Sequence, residues 1–148
     1  MSSKIYKMSK IVYLTRRERF NAAHKLYNAT WDDATNLKMF GKCANPNWHG
    51  HNYDLFVTVK GEPNAETGFC MDLKILSELL GRLVVDKLDH KNLNLDVDFM
   101  KDVMASTENL AIAIWEQIEG PINATGCKLH CVKLYETENN LVEYYGGE

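Results

Sequence analysis

Cys43, His49 and His51 lie in one run, Gly41-Lys-Cys-Ala-Asn-Pro-Asn-Trp-His-Gly-His-Asn-Tyr53, with His24 upstream. The residues after the His-Gly-His unit, Asp54-Leu-Phe-Val-Thr-Val-Lys60, alternate polar with branched or aromatic side chains, which is a strand pattern. Residues two apart on a strand share a face, so His49 and His51 can converge on one ion and His24 can supply a third imidazole. Three neutral nitrogens suit a catalytic Zn2+ that keeps its fourth position open, as in a hydrolase or lyase. Such an ion acidifies a bound hydroxyl and polarises a neighbouring carbonyl without redox chemistry. Two idle strand imidazoles are the bland account of the same pair.

Cys43 follows Lys42 in a stretch without periodicity, and a nearby cation would favour its thiolate. It is either a fourth ligand closing a structural site or a free base beside an open one, and spacing does not separate the two. Asp89-His90 joins a carboxylate to an imidazole, an arrangement that fixes the ring's tautomer and raises its basicity. A solvated loop pair is the alternative there. Glu136 ends the strand His130-Cys-Val-Lys-Leu-Tyr135 on the face of Val132 and Leu134. From there it could accept two parallel N–H bonds from a planar amidine-like edge. Cys127 and Cys131 share one strand face without further ligands nearby and are read as packing; His130 is read as structural.

The elements that must position these groups follow from periodicity. A first strand from about Lys10 ends near His24, and a second runs from about His49 to Gly61. Residues from about Trp31 to Pro46 read as a long connection. After a turn over residues 62–68 and a short strand at Phe69–Met71, Leu76, Leu79, Leu80, Leu83 and Val84 mark a helix that stops before Asp86. A second helix opens at Ser106-Thr107, carries Leu110, Ala111, Ile114 and Ile118, and ends at Gly120-Pro121. Two closing strands, Lys128–Tyr135 and Leu141–Tyr145, form a hairpin. The expected fold is α+β, an antiparallel four-stranded sheet with two helices on one face and two exposed edges that favour oligomerisation.

At 148 residues the chain is read as a single domain, with residues 1–9 a flexible N-terminal segment. Seventeen basic against twenty acidic residues give a net charge of −3, so no global field invites nucleic acid or an anionic membrane. No apolar run is long enough to span a bilayer, and no signal-like apolar stretch follows Met1. Four cysteines without a Cys-x-x-Cys pair read as reduced thiols in a cytoplasmic protein.

The cysteine–histidine run, together with Leu88-Asp-His-Lys-Asn-Leu-Asn94, Ser106-Thr-Glu-Asn-Leu110 and Leu134-Tyr-Glu-Thr-Glu-Asn-Asn140, resembles the 6-pyruvoyl-tetrahydropterin synthase family from about Tyr13 to Gly147. The resemblance implies the tunnelling fold, in which sheets of several chains join into a barrel. It also implies a homohexamer, a dimer of trimers, with active sites at subunit interfaces. It implies conversion of 7,8-dihydroneopterin triphosphate to 6-pyruvoyl-tetrahydropterin with triphosphate elimination, as in tetrahydrobiopterin biosynthesis. His24, His49 and His51 match the family's zinc ligands, Cys43 its general base, and Asp89 with His90 its proton relay. Glu136 matches the residue that holds the pterin ring, and Thr107 and Glu108 match positions near the pterin pocket. Trp48 stands where relatives often have glycine. Lys42, Lys38 and Arg19 are candidates for the triphosphate. The competing expectations are a 6-carboxy-tetrahydropterin synthase on the same substrate and a non-catalytic His3Cys zinc module.

Overall fold

The computed structural model describes residues 8–147, so residues 1–7 of the expected flexible segment lie outside the described residues. The elements in order are β1 (Val12–His24), α1 (Asp33–Phe40), β2 (His49–Gly61), α2 (Leu73–Leu80), α3 (Asp86–Leu88), β3 (Lys91–Asn92), α4 (Thr107–Asn123), β4 (Lys128–Tyr135) and β5 (Leu141–Tyr144). They build one five-stranded sheet in the order β3-β1-β2-β4-β5. β1 and β2 pair antiparallel over their full length, from Val12 opposite Gly61 to His24 opposite His49. The sheet is mixed rather than purely antiparallel, because β3 pairs parallel to β1 through Ala22–Lys91 and Ala23–Asn92.

Alternation along the long strands decides the layers. Phe20, Ala22 and His24 of β1 and Tyr53, Leu55, Val57 and Val59 of β2 are buried on the sheet face where α2 packs against β1 and α4 against β4, while the intervening residues are more exposed. Each large apolar side chain so buried contributes about 1.5–3 kcal/mol. Leu110, Ile114 and Ile118 of α4 complete that core, and the Ser106 hydroxyl caps the helix by accepting from the Asn109 amide at 3.2 Å.

Several expected boundaries move, each for a local reason. The connection over 31–46 contains α1, capped by Asp32 accepting from the Thr35 amide at 2.7 Å, and then a 3-10 turn, Gly41–Ala44. The first core helix does not stop before Asp86. Leu76, Leu80, Val84 and Leu88 are fully buried at four-residue intervals, whereas an α-helix turns every 3.6 residues. A π turn over Gly81–Val85 restores the phase and carries the chain into α3. α4 likewise runs through Pro121 to Asn123, where Ile122 is fully buried, although the proline has no N–H to give the Gln117 carbonyl. Phe69–Met71 is irregular rather than a strand, its loop closed by the Asn64 carboxamide accepting from the Glu66 and Thr67 amides.

A bulge between β2 and β4 inserts His130, since Thr58 faces Cys131 while Val59 faces Leu129. It puts the two cysteines in different surroundings, against the expectation of one face. The Cys127 thiol donates to the Cys70 carbonyl at 2.6 Å, and Cys131 meets the Tyr145 hydroxyl. No helix among the described residues is long and apolar enough to cross a membrane.

Candidate active site

The β1–β2 register builds the histidine cluster. His24 and His49 are direct partners, and His51, opposite Ala22, is the diagonal neighbour on the same face. The ring centroids lie 4.5 Å apart for His24–His49, 5.0 Å for His49–His51 and 5.1 Å for His24–His51. One nitrogen from each ring lies within 4.8 Å of the other two. Gly50 lets the strands close up here, since a Cβ on it would stand 3.1 Å from the Ala22 carbonyl oxygen.

Hydrogen bonding fixes which nitrogens are available. His24 Nδ1 donates to the Ala105 carbonyl at 2.6 Å, which leaves the Nε2 lone pair facing the cluster. His24 Nε2, His49 Nδ1 and His51 Nε2 are all buried without a hydrogen-bond partner. Burial holds all three imidazoles below their ordinary 6.5, in the neutral form that binds metal. Three orphaned, neutral, converging nitrogens are what a cation with imidazole ligands requires, so the residues fit a metal ion.

Glu136 leaves the end of β4 toward this cluster. Its Oε1 lies 3.5 Å from His51 Nε2, close but too long for a good hydrogen bond. Its Oε2 accepts from the hydroxyl of Thr107, the buried first residue of α4. Cys43 stands on the 3-10 turn, whose position is tied to β1 by the Leu26 amide donating to the Cys43 carbonyl at 2.8 Å. Cys43, His24, Thr107, Glu108 and Glu136 line a common cleft of about 520 Å³.

Asp89 and His90 are not in that cleft. They border a groove of about 1050 Å³ that also meets His51, Glu136, Arg17 and Arg19. Their loop is strapped to the edge of β1: His90 N–H donates to the Asn21 carbonyl at 2.7 Å, Leu93 N–H to that of Ala23 at 2.8 Å, and Asn21 N–H to Asp89 Oδ1 at 2.9 Å. The Asn21 amide, followed by His90, holds the Asp89 carboxyl below its ordinary 3.8. Asp89 Oδ2 meets His90 Nδ1 at 2.9 Å, and the ring is presented to solvent from a left-handed backbone (φ 60°). Glu136 is the residue that both clefts share. Arg19 bonds Asp54 together with Arg17 in the groove, away from Cys43, while Lys38 and Lys42 are exposed.

Two contributors escaped the sequence reading. The Ala105 carbonyl orients His24, and a backbone atom leaves no signature in composition. Tyr53 is buried with an unpartnered hydroxyl, its ring 5.7 Å from that of His51. The same period of two that links His49 and His51 places it on their face and could have found it.

A profile of the 6-pyruvoyl tetrahydropterin synthase family matches residues 13–147. The chain is 45% identical over 135 residues to the 6-pyruvoyl tetrahydrobiopterin synthase of Homo sapiens, covering 90% of each. To that of Dictyostelium discoideum it is 45% identical over 139 residues, covering 94% of this chain and 99% of the other. The solved 6-pyruvoyl tetrahydropterin synthase of Caenorhabditis elegans superposes with a TM-score of 0.87 at 36% identity, covering 94% of this chain and 98% of that one. With this match spanning both the sheet that carries the histidines and the hairpin that carries Glu136, the chain belongs to the 6-pyruvoyl tetrahydropterin synthase family.

Proposed function

We propose that this chain, as one pterin-synthase domain over 1–148, converts 7,8-dihydroneopterin triphosphate to 6-pyruvoyl-tetrahydropterin with elimination of triphosphate. The observation that carries the reading is the set of three converging, orphaned imidazole nitrogens, one of them on His24, which lines a cleft with a free thiol and a carboxylate. His24, His49 and His51 would hold Zn2+, which when bound acidifies the C–H bonds beside the substrate's side-chain oxygens.

The remaining work falls to this chain's own groups. Glu136, steadied by the Thr107 hydroxyl, accepts the paired N–H donors of the pterin edge and sets the ring's orientation. Glu108 borders the same cleft and bounds the space left for the ring. The Cys43 thiolate removes the carbon-bound proton as general base. Asp89 holds the His90 imidazole in one tautomer, so that its far nitrogen can return a proton to the rearranging side chain. The products balance as an elimination with internal hydrogen shift, and no external oxidant or reductant is consumed.

Asp89 and His90 open onto a different cleft from Cys43. This separation supports a homohexamer, a dimer of trimers with sheets joined into a barrel, in which one chain's relay serves a neighbour's cleft. The exposed edges at β3 and β5 are the strands such joining would pair. Four free cysteines, none disulfide-bonded, support a cytoplasmic setting.

Incubation with dihydroneopterin triphosphate, with and without a chelator, followed by product mass, tests the whole reading. The expected product keeps the three-carbon side chain and fails to form with chelator. Loss of two carbons would instead assign a 6-carboxy-tetrahydropterin synthase.

A further inference from the structure

Among the described residues, four buried side-chain polar atoms lack a hydrogen-bond partner. Three are the ring nitrogens already assigned to an ion, and the fourth is the hydroxyl of Tyr53. Leaving such a hydroxyl unpaired costs about 1–3 kcal/mol, and phenylalanine would fill the same space without that cost. The ring itself is well held, stacked on Phe20 at 4.9 Å with an interplanar angle of 16°. A core filler therefore does not need the oxygen.

The position of the ring shows where the oxygen is aimed. Tyr53 lies four residues along β2 from His49, the direct partner of His24, so the two backbones are about 13 Å apart along the strands. The rings of Tyr53 and His24 are nonetheless only 6.4 Å apart, with the Tyr53 ring also 5.7 Å from that of His51. The Tyr53 side chain leans toward the histidine cluster, and its hydroxyl is the atom furthest along that lean. It is a donor near three bare ring nitrogens, none of which pairs with it, and near a carboxylate already engaged by Thr107.

We propose that Tyr53 is a substrate-positioning residue whose hydroxyl donates a hydrogen bond to a side-chain oxygen of the bound pterin. Its unpaired state in the free protein is the pairing it reserves for that ligand. The proposal rests on the pterin reading above and extends it from the ring, held by Glu136, to the polyol tail.

The test compares metal-loaded wild type with Tyr53→Phe. Two unphosphorylated probes are used: 7,8-dihydroneopterin, which carries side-chain hydroxyls, and 6-methyl-7,8-dihydropterin, which has none. The expected result is wild-type metal stoichiometry, a Tm no lower than wild type, about tenfold weaker binding of dihydroneopterin and unchanged binding of the methyl pterin. Equal affinities of the variant and wild type for both pterins would overturn the proposal, as would an equal loss for both or a lowered Tm, which would mean that the hydroxyl has a structural partner. Wild type that binds neither pterin would overturn the pterin reading, and this assignment with it.

Discussion

His24 and His49 face each other directly across the β1–β2 pair, and the one ring nitrogen of His24 that bonds protein is turned away to the Ala105 carbonyl. The candidate metal site is thus a property of strand pairing, with a single loop carbonyl selecting the tautomer. His49→Ala removes a central nitrogen from the set. Metal content by elemental analysis should fall well below one per chain while the Tm of metal-free protein changes little, since His49 makes no protein hydrogen bond through Nδ1. Unchanged stoichiometry would reject His49 as a ligand.

Cys43 lines the cleft from a turn outside the sheet, beside His24 but on separate backbone. Cys43→Ala should keep the metal and lower kcat by about 10²–10⁴-fold, the usual worth of a positioned general base. Loss of metal in that variant would make Cys43 a fourth ligand and favour the closed His3Cys module. A cobalt-substituted sample adds a direct readout, because a thiolate charge-transfer band in resting protein would show the sulfur on the ion.

Glu136→Gln exchanges a charged double acceptor for a group with one acceptor and one donor, while Thr107 keeps a partner. Pterin affinity should fall by about ten- to a hundredfold, in line with about 1.5–3 kcal/mol for a charge-assisted bond, with metal content unchanged. Equal affinity in a fluorescence titration would remove Glu136 from the pterin site.

Asp89 carries a pH signature. Its carboxyl is held below the ordinary 3.8 by the Asn21 amide first and His90 second, so the folded state favours the ionised form. The stability this supplies is present above the unfolded value and is lost as pH falls through the folded one. The Tm difference between wild type and Asp89→Asn should therefore be steady above about pH 5 and close on further acidification. A gap that widens in acid would contradict the sign.

Trp48 holds a left-handed backbone, φ 67°, just before His49, the first residue of β2. An L side chain there costs about 1–2 kcal/mol, partly offset by the Lys25 ammonium 4.5 Å above the indole ring. Trp48→Gly should be more stable than Trp48→Ala by about 1 kcal/mol, the reverse of their usual order. Thermal melts of the two variants compare them directly.

What the sequence revealed follows the range of its signals. Alternation through Tyr53, Leu55, Val57 and Val59 marks β2 and hence the shared face of His49 and His51, because a strand's period is written in consecutive residues. β3 was hidden because two residues, Lys91 and Asn92, are too few to show a period, and their pairing with β1 depends on chain sixty-eight positions away in the Asn21–Asp89 bond. The π turn was hidden for another reason: its cause is the joint burial of Leu76, Leu80, Val84 and Leu88, a four-residue repeat that looks helical in sequence. The division of Cys43 and Asp89–His90 between two clefts belongs to tertiary packing alone.

The full-length register of β1 against β2 also bears on how the chain folds. A slip of one residue would turn His24 to the opposite face from His49 and His51 and dismantle the three-nitrogen set. An ion with affinity for that set binds only the correctly paired hairpin, so it draws the population away from slipped pairings as the sheet forms. Metal supplied during refolding should therefore raise the yield of native protein, beyond any stabilisation it gives once the fold is complete.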